Sequence, residues 1–226
     1  MRWDERNSRP LTIWWRYGGP WRWWALGLVG LGFAVAPFSR WLSGVLWLTG
    51  LGLIAFFRNP KRSSPDTPGI LSPADGRVVE IQPIAYCPSL GQPATQIGIF
   101  LSVFDVHVIR SPITGQICAK KFIAGHFRPA NFSNAGATNQ RCEILLEDAR
   151  GQRLFFRLVA GAIARRVIFS PTTGDILLRG AITGMIRFGS RVEIRIPHES
   201  KYMVACAMGD RVVAGKTVLA TEKTST

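Results

Sequence analysis

The residues best placed to do chemistry in this 226-residue chain are Ser190, His107 and Asp75. Ser190 lies in IRFGSRVEIRI, residues 186–196. There Ile186, Phe188, Val192, Ile194 and Ile196 recur at alternate positions, with Arg187, Arg191, Glu193 and Arg195 on the opposite face. That register puts the Ser190 hydroxyl on the apolar side, behind a glycine that removes the side chain shielding the Gly189 carbonyl. His107 lies in IGIFLSVFDVHVIRSP (97–112), near a strand end, on one face with Ile97, Ile99, Leu101 and Val103. Taken alone it reads best as a structural histidine; Asp105, two residues away on the same face, either orients the ring or caps the strand end. Asp75 belongs to SPADG (72–76), which recurs as SPITG (111–115) and SPTTG (170–174); only the first holds an ionisable group. His126 falls in a loop, and His198 follows Pro197 into solvent.

A Ser-His-Asp set is defined by geometry and roles rather than by order. A hydrolase places its serine on an exposed elbow such as G-x-S-x-G, and that motif is absent. A serine embedded in a strand is badly placed to attack an incoming substrate, but it lies beside the carbonyl of the preceding residue. Attack there is intramolecular and favoured by proximity. It converts the Gly189–Ser190 amide to an ester, whose β-elimination breaks the chain and leaves a dehydroalanine that hydrolyses to a pyruvoyl group. Glycine tolerates the strained peptide this requires. His107, oriented by Asp75, would be the base. The four cysteines, 87, 118, 142 and 206, have no CxxC spacing, so no metal site is expected.

These residues need positioning elements. All eight tryptophans lie between Trp3 and Trp47. Two uncharged runs, 23–38 and 41–57, are separated by Pro37 and Arg40. Each is short for an upright span of roughly 17–25 residues, so two spans in a thin bilayer and a hairpin in one leaflet both fit. Arginines 2, 6, 9, 16 and 22 precede the runs and Arg58, Lys61 and Arg62 follow, which places both ends in the cytoplasm. The division expected is a membrane-associated segment with two apolar helices (1–57), a Pro- and Ser-rich linker (58–69) and a catalytic β domain (70–226). Strands are expected at 77–84, 96–109, 115–123, 141–147, 153–160, 163–170, 175–179, 185–196, 202–207 and 217–221. MGDRVVAGKTVLA (208–220) resembles the hairpin of lipoyl-like domains but lacks the carrier lysine, implying fold and no cofactor attachment. The fold class is therefore mainly β, a compact sandwich or barrel behind a helical hairpin. The net charge of +14 calls for an anionic partner. Nucleic acid is disfavoured, because no aromatic-basic surface motif remains once the tryptophans are assigned to the membrane. A membrane-anchored, non-enzymatic lipoyl-like scaffold is the alternative reading; it has no need of the Gly-Ser pair with its Asp and His.

Six segments carry a family resemblance: FFRNP (56–60), LSPADGRV (71–78), FDVHVIRSPITG (104–115), NQR (139–141), VAGAIARRV (159–167) and GMIRFGSRVEIRIP (184–197). Together they resemble the phosphatidylserine decarboxylase proenzymes of the short type. The resemblance implies self-cleavage between Gly189 and Ser190 into a larger β chain (1–189) and a smaller α chain (190–226), with Ser190 becoming a covalent pyruvoyl cofactor. It implies decarboxylation of phosphatidylserine to phosphatidylethanolamine, with the pyruvoyl group as electron sink and His107 returning the proton. It also implies a cell-membrane location with the catalytic domain on the cytoplasmic side, membrane lipid as partner, and room for a homo-oligomer. Arg165 and Arg166 are adjacent in a strand pattern, so one of them would face the substrate phosphate or carboxylate. The chain departs from the family at Gln140, where glutamate is common. It departs from long-type members at Arg110, where they have a second histidine, and at Arg191, where they read GST.

Overall fold

The computed structural model describes residues 2–3, 17–128, 138–162, 166–187 and 189–223. The chain divides into two compact units, 6–60 on the one hand and 1–5 with 61–226 on the other.

The first unit holds α1 (Trp21–Val35) and α2 (Arg40–Phe56). The helices meet through small residues: a Cβ on Gly50 would lie 2.7 Å from Val29, and one on Gly32 would lie 2.5 Å from the Trp47 indole. Ser39 caps α2 by accepting the Leu42 amide at 3.4 Å. Trp24, Phe33, Trp41 and Leu48 are exposed. Among the described residues no helix is long and apolar enough to cross a membrane.

The elements described in the second unit are strands. Its strands are β1 (Arg2–Trp3), β2 (Gly69–Leu71), β3 (Gly76–Cys87), β4 (Gln92–Leu101), β5 (Val108–Arg110), β6 (Gly115–Ile123), β7 (Arg141–Glu147) and β8 (Arg153–Val159). They continue as β9 (Val167–Phe169), β10 (Ile176–Leu177), β11 (Ile182–Ile186), β12 (Ser190–Pro197), β13 (Tyr202–Val204), β14 (Arg211–Val212) and β15 (Val218–Glu222). A nine-stranded sheet runs β1-β10-β6-β7-β8-β12-β4-β3-β14; two smaller sheets run β5-β11-β9 and β13-β15-β2. One core serves all three: Ile97, Ile99, Leu101, Ile144, Phe156, Val192 and Ile194 from the large sheet meet Ile109, Phe169 and Ile186 from the second and Ile70 and Leu219 from the third.

Alternation locates the strand interiors but overruns two breaks. The run 96–109 is not one strand: β4 ends at Leu101 and β5 begins at Val108 in a different sheet. Between them the Asp105 carboxylate accepts from the Ser102 amide at 2.8 Å and its hydroxyl at 2.7 Å, closing a turn. The run 185–196 likewise divides into β11 and β12, which belong to different sheets, with Gly189 at φ +62° between them. The tail is not a hairpin closed on itself, because β14 pairs with β3 while β15 pairs with β2 and β13. Of the strand expected at 163–170 the described part is 167–169; residues 163–165 lie outside the described residues.

The first two SP turns form a reciprocal pair. The Leu71 amide donates to Pro112 O and the Arg110 amide to Pro73 O, both at 2.9 Å. The Ser72 hydroxyl donates to Ala74 O at 2.6 Å and the Ser111 hydroxyl to Ile113 O at 2.7 Å. A glycine amide then closes on each serine carbonyl at 2.8 Å, Gly215 on Ser72 and Gly180 on Ser111. Arg110 fills the space between these glycines, donating to Gly180 O at 3.0 Å and approaching within 2.8 Å of a Cβ built on Gly215. Arg110 thus ties the two turns together.

Candidate active site

Ser190 is the first residue of β12 and pairs with Leu101, the last of β4. It is fully buried, and its hydroxyl has no hydrogen-bond partner among the described residues. Leaving a buried hydroxyl unpaired costs about 1–3 kcal/mol, so such a group calls for an explanation beyond packing. A Cβ on Gly189 would meet nothing within 4 Å, so the positive φ, and not lack of space, selects glycine there.

His107 is fully buried in the crossing from β4 to β5. Its main-chain oxygen accepts from the Ile186 amide at 3.1 Å, which fixes it beside the second crossing, four residues before Ser190. Its Nδ1 lies 2.9 Å from the main-chain oxygen of Asp105. A carbonyl can only accept, so Nδ1 carries a proton, and the ring nitrogen able to act as a base is Nε2.

Asp75 is held differently from the sequence expectation. Its carboxylate takes both guanidinium nitrogens of Arg62, at 2.5 and 2.7 Å, and the Ala214 amide at 2.8 Å. Arg62 also donates to Ala214 O at 2.9 Å. The group that orients Nδ1 of His107 is the Asp105 carbonyl, while Asp75 joins the linker arginine to the loop after β14. Asp75 nevertheless comes to the same end of the sheet. Gly76 follows it and lies so close to the Phe100 carbonyl that a Cβ would sit 2.1 Å from that oxygen, one residue from Leu101, the partner of Ser190.

The outer face of the large sheet holds the residues that alternation assigns to solvent. Arg191 and Glu193 are buried, with Arg191 Nε donating to Glu193 at 2.8 Å and its Nη2 to Glu80. Arg157 donates to the other Glu193 oxygen at 2.5 Å, and burial lowers its pKa against the pull of that carboxylate. Arg187 is also buried; burial first, then repulsion by Arg166, lowers its pKa. Arg166 is exposed, and Arg165 lies outside the described residues. Asn139 of the NQR segment is structural: it donates to Arg128 O at 2.7 Å and Ala160 O at 2.9 Å. Gln140 uses its main chain, donating to His126 O at 3.0 Å and accepting from Ala160, and its buried side-chain oxygen has no partner among the described residues. The signal sequence reading missed is Arg62, which looks like linker charge until the fold sets it against Asp75.

The chain matches the family model described as phosphatidylserine decarboxylase over residues 51–220. It is 39% identical over 201 residues to a phosphatidylserine decarboxylase proenzyme of Oleidesulfovibrio alaskensis, covering 88% of this chain and 91% of that one. The proenzyme of Solidesulfovibrio magneticus is 40% identical over 198 residues, with 86% and 91% covered. That of Novosphingobium aromaticivorans is 40% identical over 206 residues, with 85% and 81% covered. A buried serine behind a positive-φ glycine, a buried histidine at the adjoining crossing, and likeness along most of the chain lead to one conclusion: the chain belongs to the phosphatidylserine decarboxylase family.

Proposed function

We propose that this chain cuts itself between Gly189 and Ser190 and, carrying the resulting pyruvoyl group, decarboxylates phosphatidylserine to phosphatidylethanolamine. The observation that carries the reading is the buried, unpartnered Ser190 hydroxyl at a break between two sheets, beside His107. Nε2 of His107 takes the Ser190 hydroxyl proton as Oγ bonds to the Gly189 carbonyl carbon. The C–N bond breaks and the Ser190 nitrogen leaves as an amine, giving an ester. Removal of the Ser190 Cα proton then expels Oγ with the Gly189 carboxylate. Water hydrolyses the dehydroalanine, ammonia departs, and a ketone is left at position 190. Burial excludes bulk water from the first steps, and fixed geometry replaces a bimolecular encounter.

The surroundings fit such a group. Position 190 faces the core with Leu101 and Val192, so no charged side chain crowds it, and its hydroxyl gives up no hydrogen bond on conversion. The pyruvoyl group supplies the electron sink for loss of carbon dioxide. His107 holds the proton that returns to the substrate carbon. Arg166 and Arg187 give the approach a positive potential suited to an anionic headgroup. Asp75 acts through Arg62 and Ala214 by fixing the turn that leads into β3. The exposed aromatic surface of α1 and α2 suits a lipid surface, at the cytoplasmic side of the cell membrane, with the cleaved α and β chains remaining associated through β12.

Intact-mass measurement of the purified protein tests this. Two fragments divided at 189/190 are expected, the smaller blocked at its N-terminus. Ser190→Ala should remain one chain and be inactive, and His107→Ala should impair cleavage, decarboxylation or both. A Ser190→Ala chain that still divides at that bond refutes the reading.

A further inference from the structure

Two turns at one end of the large sheet are built alike. In Ser102–Asp105 the Asp105 carboxylate accepts the Ser102 amide at 2.8 Å, and in Ala207–Asp210 the Asp210 carboxylate accepts the Ala207 amide at 2.8 Å. Each presents its middle residues at the surface. At their tips stand Val103 and Phe104, and Met208, with Phe104 81% and Met208 65% exposed. A third turn of the same construction, Thr172–Asp175, carries Thr173 and Gly174 at its tip. The turn geometry therefore does not demand apolar tips, and their presence at two of the three needs another cause.

The two apolar tips flank one cavity of about 280 Å³, lined by Arg77, Phe100, Ser102, Asp105 and Arg211 among others. The second turn is held to the cavity wall by Gly209 N to Val78 O at 2.8 Å and Val78 N to Asp210 O at 2.9 Å. Arg77 and Arg211 are direct cross-strand partners on β3 and β14, and both are exposed. Like charges placed opposite one another across a ladder are unfavourable. Asp105 offsets this in part: its Oδ1 pairs with Arg211 at 3.4 Å while its Oδ2 holds Ser102. An exposed arginine pair with only one carboxylate in reach, flanked by exposed apolar tips, matches a bilayer bearing negative headgroups: phosphates between the guanidinium groups, tips among the acyl chains. The cavity opens on the sheet face opposite the Ser190 side chain, so it is distinct from the reaction centre.

We propose that the turns 102–105 and 207–210, with Arg77 and Arg211, form a docking surface for an anionic lipid bilayer. The proposal rests on the reading of the chain as a lipid enzyme only for its purpose; its geometry stands independently. Because Asp105 both closes the first turn and orients His107, docking there sets the reaction centre at a fixed height above the lipid.

Two measurements on the full chain test it. Amide exchange at 102–105 and 207–210 should slow on adding phosphatidylcholine vesicles containing phosphatidylglycerol, and much less with phosphatidylcholine alone. The variant Val103→Ser/Phe104→Ser/Met208→Ser should self-cleave normally. It should keep its rate on short-chain, monomerically dissolved phosphatidylserine within about twofold, and lose at least about tenfold in kcat/KM on vesicle-embedded phosphatidylserine. Unchanged exchange in the two turns, equal protection by both vesicle types, equal losses on both substrates, or no loss on vesicles would each overturn the proposal. A wild-type protein that decarboxylates neither substrate refutes the proposed reaction instead, and exchange alone then decides the docking surface.

Discussion

Replacing Arg191 by Met tests how β12, the strand that begins at the proposed cleavage site, is held. Arg191 and Glu193 are nearly solvent-free, at 2% and 1% side-chain exposure, and Glu80 retains 15%. With Arg157 they form a quartet of two cations and two anions, neutral as a whole. Room for the guanidinium comes from Gly98, where a Cβ would lie 2.5 Å from Arg191 Nη2. Removing Arg191 leaves the quartet one negative charge in excess. Breaking a buried pair from one side costs about 3–5 kcal/mol. Glu193 keeps Arg157, and Glu80 keeps the Gln96 amide at 2.6 Å and some water, so the low end, about 3 kcal/mol, is expected. The measurement belongs in a Ser190→Ala background, so that cleavage does not alter the chain being unfolded. Circular dichroism should follow it, because the β unit holds a single tryptophan, Trp3 in the edge strand β1, while the other seven belong to the helical unit. With a urea slope of about 1–3 kcal/mol/M, the midpoint should fall by about 1–3 M. Adding Glu80→Gln restores neutrality and should recover more than half of the loss. A cost below about 1 kcal/mol for the single change, or no recovery in the double, refutes the quartet as the clamp on β12.

Other changes separate the roles of neighbouring residues. Gly189→Ala meets no clash but must hold φ near +62°, at a cost of about 1–2 kcal/mol; the chain should fold and cleave more slowly in a mass time course, and wild-type cleavage would refute the need for glycine. Gly76→Ala drives a Cβ to 2.1 Å from the Phe100 carbonyl and should instead lower the melting temperature sharply. If Asp75 acts as an anchor, Arg62→Gln should slow cleavage about as much as Asp75→Asn; a defect confined to Asp75→Asn would give the carboxylate a direct chemical part. Burial pushes the Cys142 thiol up to about 12, with Glu143 adding and Lys120 opposing, so almost no thiolate exists at neutral pH. Exposed Cys118 should therefore be alkylated well before Cys142, and labelling of Cys142 in the folded protein at a comparable rate refutes its burial.

Why alternation reads β6, β7 and β8 almost to the residue, yet runs straight through the two functional breaks, has a physical answer. β7 alternates in burial along its whole length, β6 does so over its first four residues and β8 is buried on both faces, yet each stays within one sheet from end to end, so the local pattern carries the structure. Between Leu101 and Val108, and between Ile186 and Ser190, the chain leaves one sheet for another that packs on the same core. Ile186 and Val192 are both core residues, so the apolar rhythm continues although the hydrogen-bonded ladder does not. Only Gly189 and the Ser102–Asp105 spacing mark the break, and both read equally well as incidents within a strand. The outer face misleads for a related reason: Arg191, Glu193 and Arg157 neutralise one another, and sequence cannot show which charges have partners. Ser190 and His107 are legible by type, because an apolar face rarely holds a lone hydroxyl or imidazole. The Arg62–Asp75 pair is not, since the tertiary fold alone turns the linker onto that turn. The misread places are also where the proposed chemistry sits. A strand in mid-ladder fixes its backbone in the extended region, whereas a residue crossing between sheets can hold positive φ beside a buried hydroxyl. The discontinuity that defeats period-two reading is thus also the feature that would free the Gly189–Ser190 peptide for the proposed cleavage.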